Sequence, residues 1–349
     1  MIRDEADINC SALTELFRSK GLMEDTNRII AMDKVFHHCE GSFSFTVSLE
    51  YLKERQKSPS SIFVKLDKVR GGEHYKRLTR NEIEFYNLSQ NHDMNLFLPH
   101  YMDGWYNDVF SYLILEDLSE EYISSEYSSD LDYFYIAVER IAAFHANCRN
   151  LNISKSTCNP HAPFKSSVDL NLISSNHEKM LSLLGDRLDK RTKDLLADAL
   201  LFLQSNRAEI NQRVNSKKST IIHGDFHLKN CLFNKQNPQE NLKIIDWQWW
   251  NFGIGTYDIA HLLNLYLPKE WKDKEFDILK AYYNKLVEHG FTEYAWSECL
   301  NDYMIFTTLN LFKPALYAIS CELRRRKDFW IPFIDNIVTS FLATRVNSS

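Results

Sequence analysis

A chain of 349 residues with 44% hydrophobic and 13% aromatic content can bury a large core, and its length favours two lobes over one. A formal net charge of −6 and a pI near 6.1 leave no basic footprint, which argues against a nucleic-acid partner. Scattered cysteines without Cys-x-x-Cys spacing, a charged start from Met1 to Asp7 and no apolar run of about eighteen residues predict a reduced, cytoplasmic protein with no membrane partner.

In chain order, residues 8–26 read as an amphipathic helix with a turn at Gly21. Ile29 to Cys39 reads as a strand, and Phe45 to Leu49 alternates like its return partner. Between them lies Glu40-Gly41-Ser42, which suits either a plain hairpin or a loop whose backbone N–H groups cover phosphates. Ile62 to Leu66 is a β-rich run with Lys65 inside it, and a cation there needs an anionic partner. The next helix offers two, Glu82 and Glu84. Leu96 to His100 and Tyr112 to Leu115 read as further strands, the second running into Glu116-Asp117-Leu118.

From Asp132 to Asn150, Ile136, Val138, Ile141, Ala142 and Phe144 recur at helical spacing, with His145 as a packed core histidine. Asn159 to Pro163 breaks the chain, and Leu170 to Arg213 carries two amphipathic helices. The run Arg324-Arg325-Arg326-Lys327 reads as a solvated helix face.

The chemistry concentrates at Ile221-Ile222-His223-Gly224-Asp225-Phe226-His227-Leu228-Lys229-Asn230 and, after a turn at Asn237-Pro238 and a strand ending at Ile245, at Asp246. The apolar pair ends a buried strand, and Asp225 follows it on a turn. Magnesium on nucleotide phosphates wants a few hard oxygen ligands, which Asn230 and Asp246 supply. Asp225 is then left to take the proton of an attacking hydroxyl. Beyond them, Gly253-x-Gly255 precedes Asp258 and an apolar helix, as a strained loop closed by an aspartate cap. From about 270 onward the chain is helical and rich in aromatics.

His-Gly-Asp, Asn five residues on, and Ile-Asp-Trp after a hairpin together resemble the aminoglycoside phosphotransferase and choline kinase superfamily, and within it the ecdysteroid-kinase-like proteins. The resemblance implies an α+β, bilobal protein-kinase-like fold, with a small antiparallel-sheet N-lobe (1–117) and a large, mainly helical C-lobe (118–349, helical insert at about 165–215). It implies a small-molecule kinase that uses ATP and Mg²⁺ on a small-molecule hydroxyl acceptor. By resemblance Asp225 is the base, Asn230 and Asp246 are metal ligands, and Lys65 contacts phosphates while Glu82 holds it. Gly41 and Ser42 cover the phosphates, the backbone at Glu116 to Leu118 pairs with adenine, and His223 and Asp258 are structural. A catalytically inactive nucleotide-binding pseudokinase is the alternative, and the presence of Lys65, Glu82, Asp225, Asn230 and Asp246 together argues against it. An aminoglycoside or choline type of acceptor is a further variant, favoured by the acidic residues from Glu116 through Glu126 to Asp132 if they line the cleft mouth. Trp247, Trp249 and Trp250 and the aromatic C-terminal helices instead favour an acceptor with apolar surface. The sequence leaves the oligomeric state open.

Overall fold

The computed structural model describes residues 5–38, 43–54, 58–68, 72–90, 92, 94, 96–124, 130–149, 170–214, 219–314 and 327–347. The expectations at Gly41 and Ser42, at Glu126, at 159–163 and at Arg324 to Arg326 therefore lie outside the described residues. The chain divides into two compact units, Met1–Ile123 with Leu232–Trp249, and Ser124–Cys231 with Trp250–Ser349. The segment carrying Asp246 packs with the first unit.

In the first unit, helix α1 (Cys10–Ser19) starts at Asn9, whose side chain accepts the Ala12 N–H. Strands β1 (Ile29–His38), β2 (Phe43–Tyr51), β3 (Ser61–Lys68), β4 (Tyr101–Tyr106) and β5 (Phe110–Glu116) form an antiparallel sheet in the order β1-β2-β3-β5-β4. The period of two sends Phe45, Val47 and Leu49 of β2 and Ile62, Val64 and Leu66 of β3 into one core with Leu13 and Phe17 of α1. Helix α2 (Gly72–Ser89) packs on β3, β4 and β5. The expected strand at Leu96 to His100 is instead a turn, and the strand begins at Tyr101. Phe97 and Leu98 are apolar because they are buried there, and the Phe97 carbonyl accepts the Ile244 N–H. Strands β6 (Tyr122–Ser124), β8 (Cys231–Asn234) and β9 (Leu242–Ile244) make a three-stranded sheet in the order β6-β8-β9.

The second unit is mainly helical. Its core helix α3 (Asp132–Arg149) buries Phe134, Val138, Ile141 and Phe144 and packs against α8 (Glu275–Glu288). Three helices, α4 (Leu170–Leu184), α5 (Lys190–Ser205) and α6 (Arg207–Val214), stand where two were expected. The extra break falls at Asn206, the C-cap of α5, whose backbone leaves helical geometry (φ −102°, ψ 15°) while its N–H and side-chain amide both donate to the Phe202 carbonyl. The short pair β7 (Thr220–Ile222) and β10 (Asn251–Gly253) precedes α7 (Thr256–Tyr266), α9 (Trp296–Asn310) and α10 (Lys327–Asn347). No described helix is long and apolar enough to cross a membrane.

Candidate active site

In the first unit the strand alternation that buries Val64 and Leu66 puts Lys65 on the sheet face that α2 covers. Its ammonium lies 2.7 Å from Glu82 Oε2 and 2.8 Å from Asp246 Oδ1. Burial alone would lower the lysine, but the Asp246 and Glu82 carboxylates outweigh it and hold the ammonium well above the usual range. Glu84 has other partners, the Arg80 guanidinium at 3.0 Å and the Tyr106 hydroxyl at 2.9 Å. Of the two glutamates, Glu82 is the one that meets Lys65.

Asp246 is the one non-glycine residue with positive φ (65°) among the described residues. Such a backbone costs about 1–3 kcal/mol and persists only where its surroundings fix it. Here Trp247 stacks on Phe85 with ring centroids 4.0 Å apart, its indole donates to the Ile244 carbonyl, and the Asn81 amide donates to the Gln248 carbonyl. Trp247 is therefore a core residue that fixes Asp246, and Trp250 is buried against Phe252; neither is available as an acceptor wall.

A cavity of about 550 Å³ in this unit is bordered by Val35, Thr46, Ser61, Asp117, Ser119 and Glu120. At the end of β5, Glu116 gives its N–H to the His100 carbonyl and accepts the His100 N–H on its carboxylate. The Leu118 carbonyl accepts the N–H groups of Glu121 and Tyr122. The groups that the adenine expectation still needs are the Glu116 carbonyl and the Leu118 N–H.

In the second unit, Asp225 stands on a loop held from within. Gly224 has φ 85°, a region costly for any residue with a Cβ. The buried Asp258 carboxylate accepts the His223 N–H at 2.7 Å and the Gly224 N–H at 2.9 Å. His145 Nε2 meets the same carboxylate at 3.2 Å while its Nδ1 faces the Tyr282 hydroxyl at 3.0 Å. Burial would raise Asp258, yet His145 and His223 hold it below the usual carboxylate range. Asp258 lies in the first turn of α7, which Gly255 caps, so it braces the loop by accepting from it and is not the helix cap. A Cβ on Gly255 would stand 2.4 Å from both His145 Nδ1 and the Tyr282 hydroxyl. His223 Nδ1 accepts the Asp225 N–H at 3.3 Å.

Asn230 donates to the Asp225 carbonyl at 3.0 Å, which fixes its amide and leaves Oδ1 as the oxygen it presents. The Asp225 side chain keeps 34% of its surface exposed. Its Oδ1 is 3.0 Å from His261 Nε2 and its Oδ2 is 3.7 Å from His227 Nε2. Burial alone would raise this carboxyl, but His261, His227 and Lys313 outweigh it and hold it well below the usual range. Lys313 sits against His261 Nδ1. His261 and Lys313 are absent from the sequence expectations, because they lie 36 and 88 residues beyond Asp225 with no motif linking them.

A family model described as the ecdysteroid kinase-like family matches residues 42–291. No curated protein matches the chain. Among solved structures, the GDP and kanamycin complex of APH(2")-IIia is 13% identical, with a TM-score of 0.58 and coverage of 97% of this chain and 99% of that one. A microcompartment-associated aminopropanol kinase is 12% identical, with a TM-score of 0.57 and coverage of 94% and 95%. The streptomycin-ATP-APH(2")-IIa ternary complex is 15% identical, with a TM-score of 0.51 and coverage of 95% and 97%. At these identities the likeness shows the fold, that of the protein-kinase-like phosphotransferases.

Proposed function

Because the chain belongs to the ecdysteroid kinase-like family, we propose that it is an ATP-dependent phosphotransferase acting on a hydroxyl of a small molecule. The observation that carries this is Lys65, a buried cation clamped by a helix glutamate and by Asp246. Buried ion pairs contribute little net stability compared with apolar packing, so a ligand requirement accounts for this one better than the core does.

In this reading Lys65 donates to the nucleotide phosphates and Glu82 keeps it in place. The base is Asp225, which a low proton affinity keeps ionised and ready to accept the acceptor's hydroxyl proton as the oxygen attacks. Asn230 and Asp246 would be the metal ligands, each offering a hard oxygen of the kind Mg²⁺ takes. When bound, the ion supplies charge neutralisation along the phosphate chain. Gly41 and Ser42 are assigned to phosphate covering, and the Glu116 carbonyl and Leu118 N–H to adenine, with the cavity bordered by Thr46 and Ser61 as the nucleotide seat. Asp258 and His223 hold the loop.

The acceptor is read as an alcohol with substantial apolar surface. Beside Asp225 a series of rings runs from His227 to Tyr266 at 4.7 Å, Phe333 at 5.4 Å and Trp330 at 6.2 Å. A cavity of about 280 Å³ adjoins it, lined by Leu267, Pro268 and Pro332 as well as Tyr266 and Phe333. Two measurements test the proposal. ATP with Mg²⁺ should raise the melting temperature, a hundredfold excess over Kd being worth about 2.7 kcal/mol. An ATP-consumption screen over sterol-like alcohols, choline analogues and aminoglycosides, at low and high salt, should favour the apolar alcohols. Salt-sensitive activity on aminoglycosides alone would reverse the acceptor assignment.

A further inference from the structure

The second unit holds several buried lysine and arginine contacts, and most of them join helices. Arg213 ties α6 to Asp302 and Glu298 of α9, and Lys272 meets Glu275, Ser340 and the Leu263 carbonyl. Each of those cations reaches a carboxylate. Lys313 is different: it is 5% exposed, forms no salt bridge among the described residues, and spends its ammonium on a ring nitrogen of His261.

The consequence follows from donor inventory. An ammonium has only N–H groups to offer, so the His261 Nδ1 that faces it must be the unprotonated nitrogen of the ring. The ring proton is then on Nε2, the nitrogen 3.0 Å from Asp225 Oδ1. Nε2 is buried and close to that oxygen but outside in-line hydrogen-bond geometry, a condition common for catalytic pairs before substrate binds. The Tyr257, Tyr266 and His227 rings surround the imidazole and leave it little room to turn.

Resting on the assignment of Asp225 as base, we infer that His261 is a positioning residue: Lys313 fixes its Nε2–H tautomer, Nε2–H occupies Asp225 Oδ1, and Oδ2 is left to accept the acceptor's proton. The charge balance agrees. Burial first, and then Lys313, hold the imidazole down to about 4, so it is neutral near pH 7 and leaves the negative charge on Asp225. Burial holds Lys313 down to about 8 against the pull of Asp225 and Asp258, so at neutral pH it still carries the proton that the arrangement requires. The titratable groups facing the pair are Asp225 and His227 on the loop and Tyr257, Asp258 and Tyr266 on α7, with the Lys313 ammonium 5.5 Å from the Tyr257 ring centroid.

Two measurements on the full chain test this. Imidazole ¹⁵N shifts at pH 7 should report His261 as the neutral Nε2–H tautomer. Lys313→Met should convert it to the imidazolium or the Nδ1–H form, while Lys313→Arg, still a donor-only cation, should preserve it. A wild-type ring in the Nδ1–H or doubly protonated form overturns the inference. The second readout is hydrolysis of MgATP with water as acceptor. His261→Leu should lower kcat on the order of 10- to 100-fold, the usual cost of losing a group that orients a functional side chain, with KM for MgATP unchanged. His261→Gln, which can place an amide N–H where Nε2–H was, should recover most of the rate. Equal losses in the Leu and Gln variants would reduce His261 to packing and overturn the inference. A wild-type chain that binds MgATP but never hydrolyses it counts against the phosphotransferase reading instead, and the tautomer result then decides this one alone.

Discussion

Two buried lysines, one in each unit, stand in clusters that contain a carboxylate of the proposed chemistry, and they are held by opposite means. Lys65 lies between two carboxylates, which offset its desolvation and raise its proton affinity. Lys313 reaches its carboxylate only through an imidazole, and burial lowers its proton affinity. The first cluster is a fixed charge that a phosphate can use. The second is a chain of donors that sets which atom of Asp225 is free. A buried lysine is thus informative about function only together with its partner.

The widest separation between the clusters is expected in catalysis. Asp225→Asn should cut phosphoryl transfer by about 10²–10⁴-fold while nucleotide affinity holds, because a general base is lost and no phosphate contact is. Comparable turnover in that variant, measured by ATP consumption, would remove the base assignment.

The next contrast is in stability. Lys65→Met strands Glu82, 2% exposed, and should cost about 3–5 kcal/mol in chemical denaturation. Lys313→Met replaces a buried cation with an apolar side chain of similar length and leaves no buried carboxylate unpaired. It should be neutral or stabilising. Equal destabilisation by the two would erase the distinction.

A third expectation concerns acid. His261 has a folded-state value of about 4 against an ordinary 6.5, so the unfolded chain binds the extra proton between those values. The stability tied to the neutral ring is complete above pH 6.5 and is lost as the pH falls through 4. The gap between 6.5 and about 4 corresponds to roughly 3 kcal/mol. His261→Leu should flatten that part of the stability–pH curve, followed by urea melts from pH 7 to 4.

The smallest effect separates the neighbouring glutamates. Glu84→Ala removes a partly exposed pair with Arg80 and should cost under about 1 kcal/mol with no change in nucleotide binding. Glu82→Ala should weaken nucleotide binding and couple to Lys65→Ala by about 0.5–3 kcal/mol in a double-mutant cycle. Additive losses would show that the contact with Lys65 carries no energy.

Much of the first cluster was legible in the sequence because it is built from local signals. A lysine inside Ile62 to Leu66 is anomalous for a strand, a helix with glutamates follows, and Asp246 ends an apolar run. The resemblance assigned Glu82 over Glu84, and the helix face that packs on the sheet carries Glu82 to Lys65 and Glu84 to Arg80. The second cluster was legible only at Asp225. His261 looks like any polar residue on an apolar helix, and Lys313 like a helix-end cation; only tertiary packing joins them. The tryptophans misled for a related reason. Their composition suits an apolar ligand wall, but a stack of Trp247 on Phe85 at 4.0 Å satisfies the same apolar surface inside the protein. Leu96 to His100 misled likewise, since burial in a turn leaves the same apolar record as burial in a strand.

The first unit is discontinuous: the residues that close it, Leu232–Trp249, follow the end of its first segment at Ile123 only after the chain has contributed more than a hundred residues to the other unit. During synthesis the sheet and α2 therefore emerge well before Trp247 can stack on Phe85 or Asp246 can reach Lys65. At about 5–20 residues per second this interval is roughly 6–25 s. For that time Phe85 and the Lys65–Glu82 pair wait on the ribosome without their last partners. The first unit consequently cannot close until the chain has passed residue 249, and a truncation before that residue removes its closing piece.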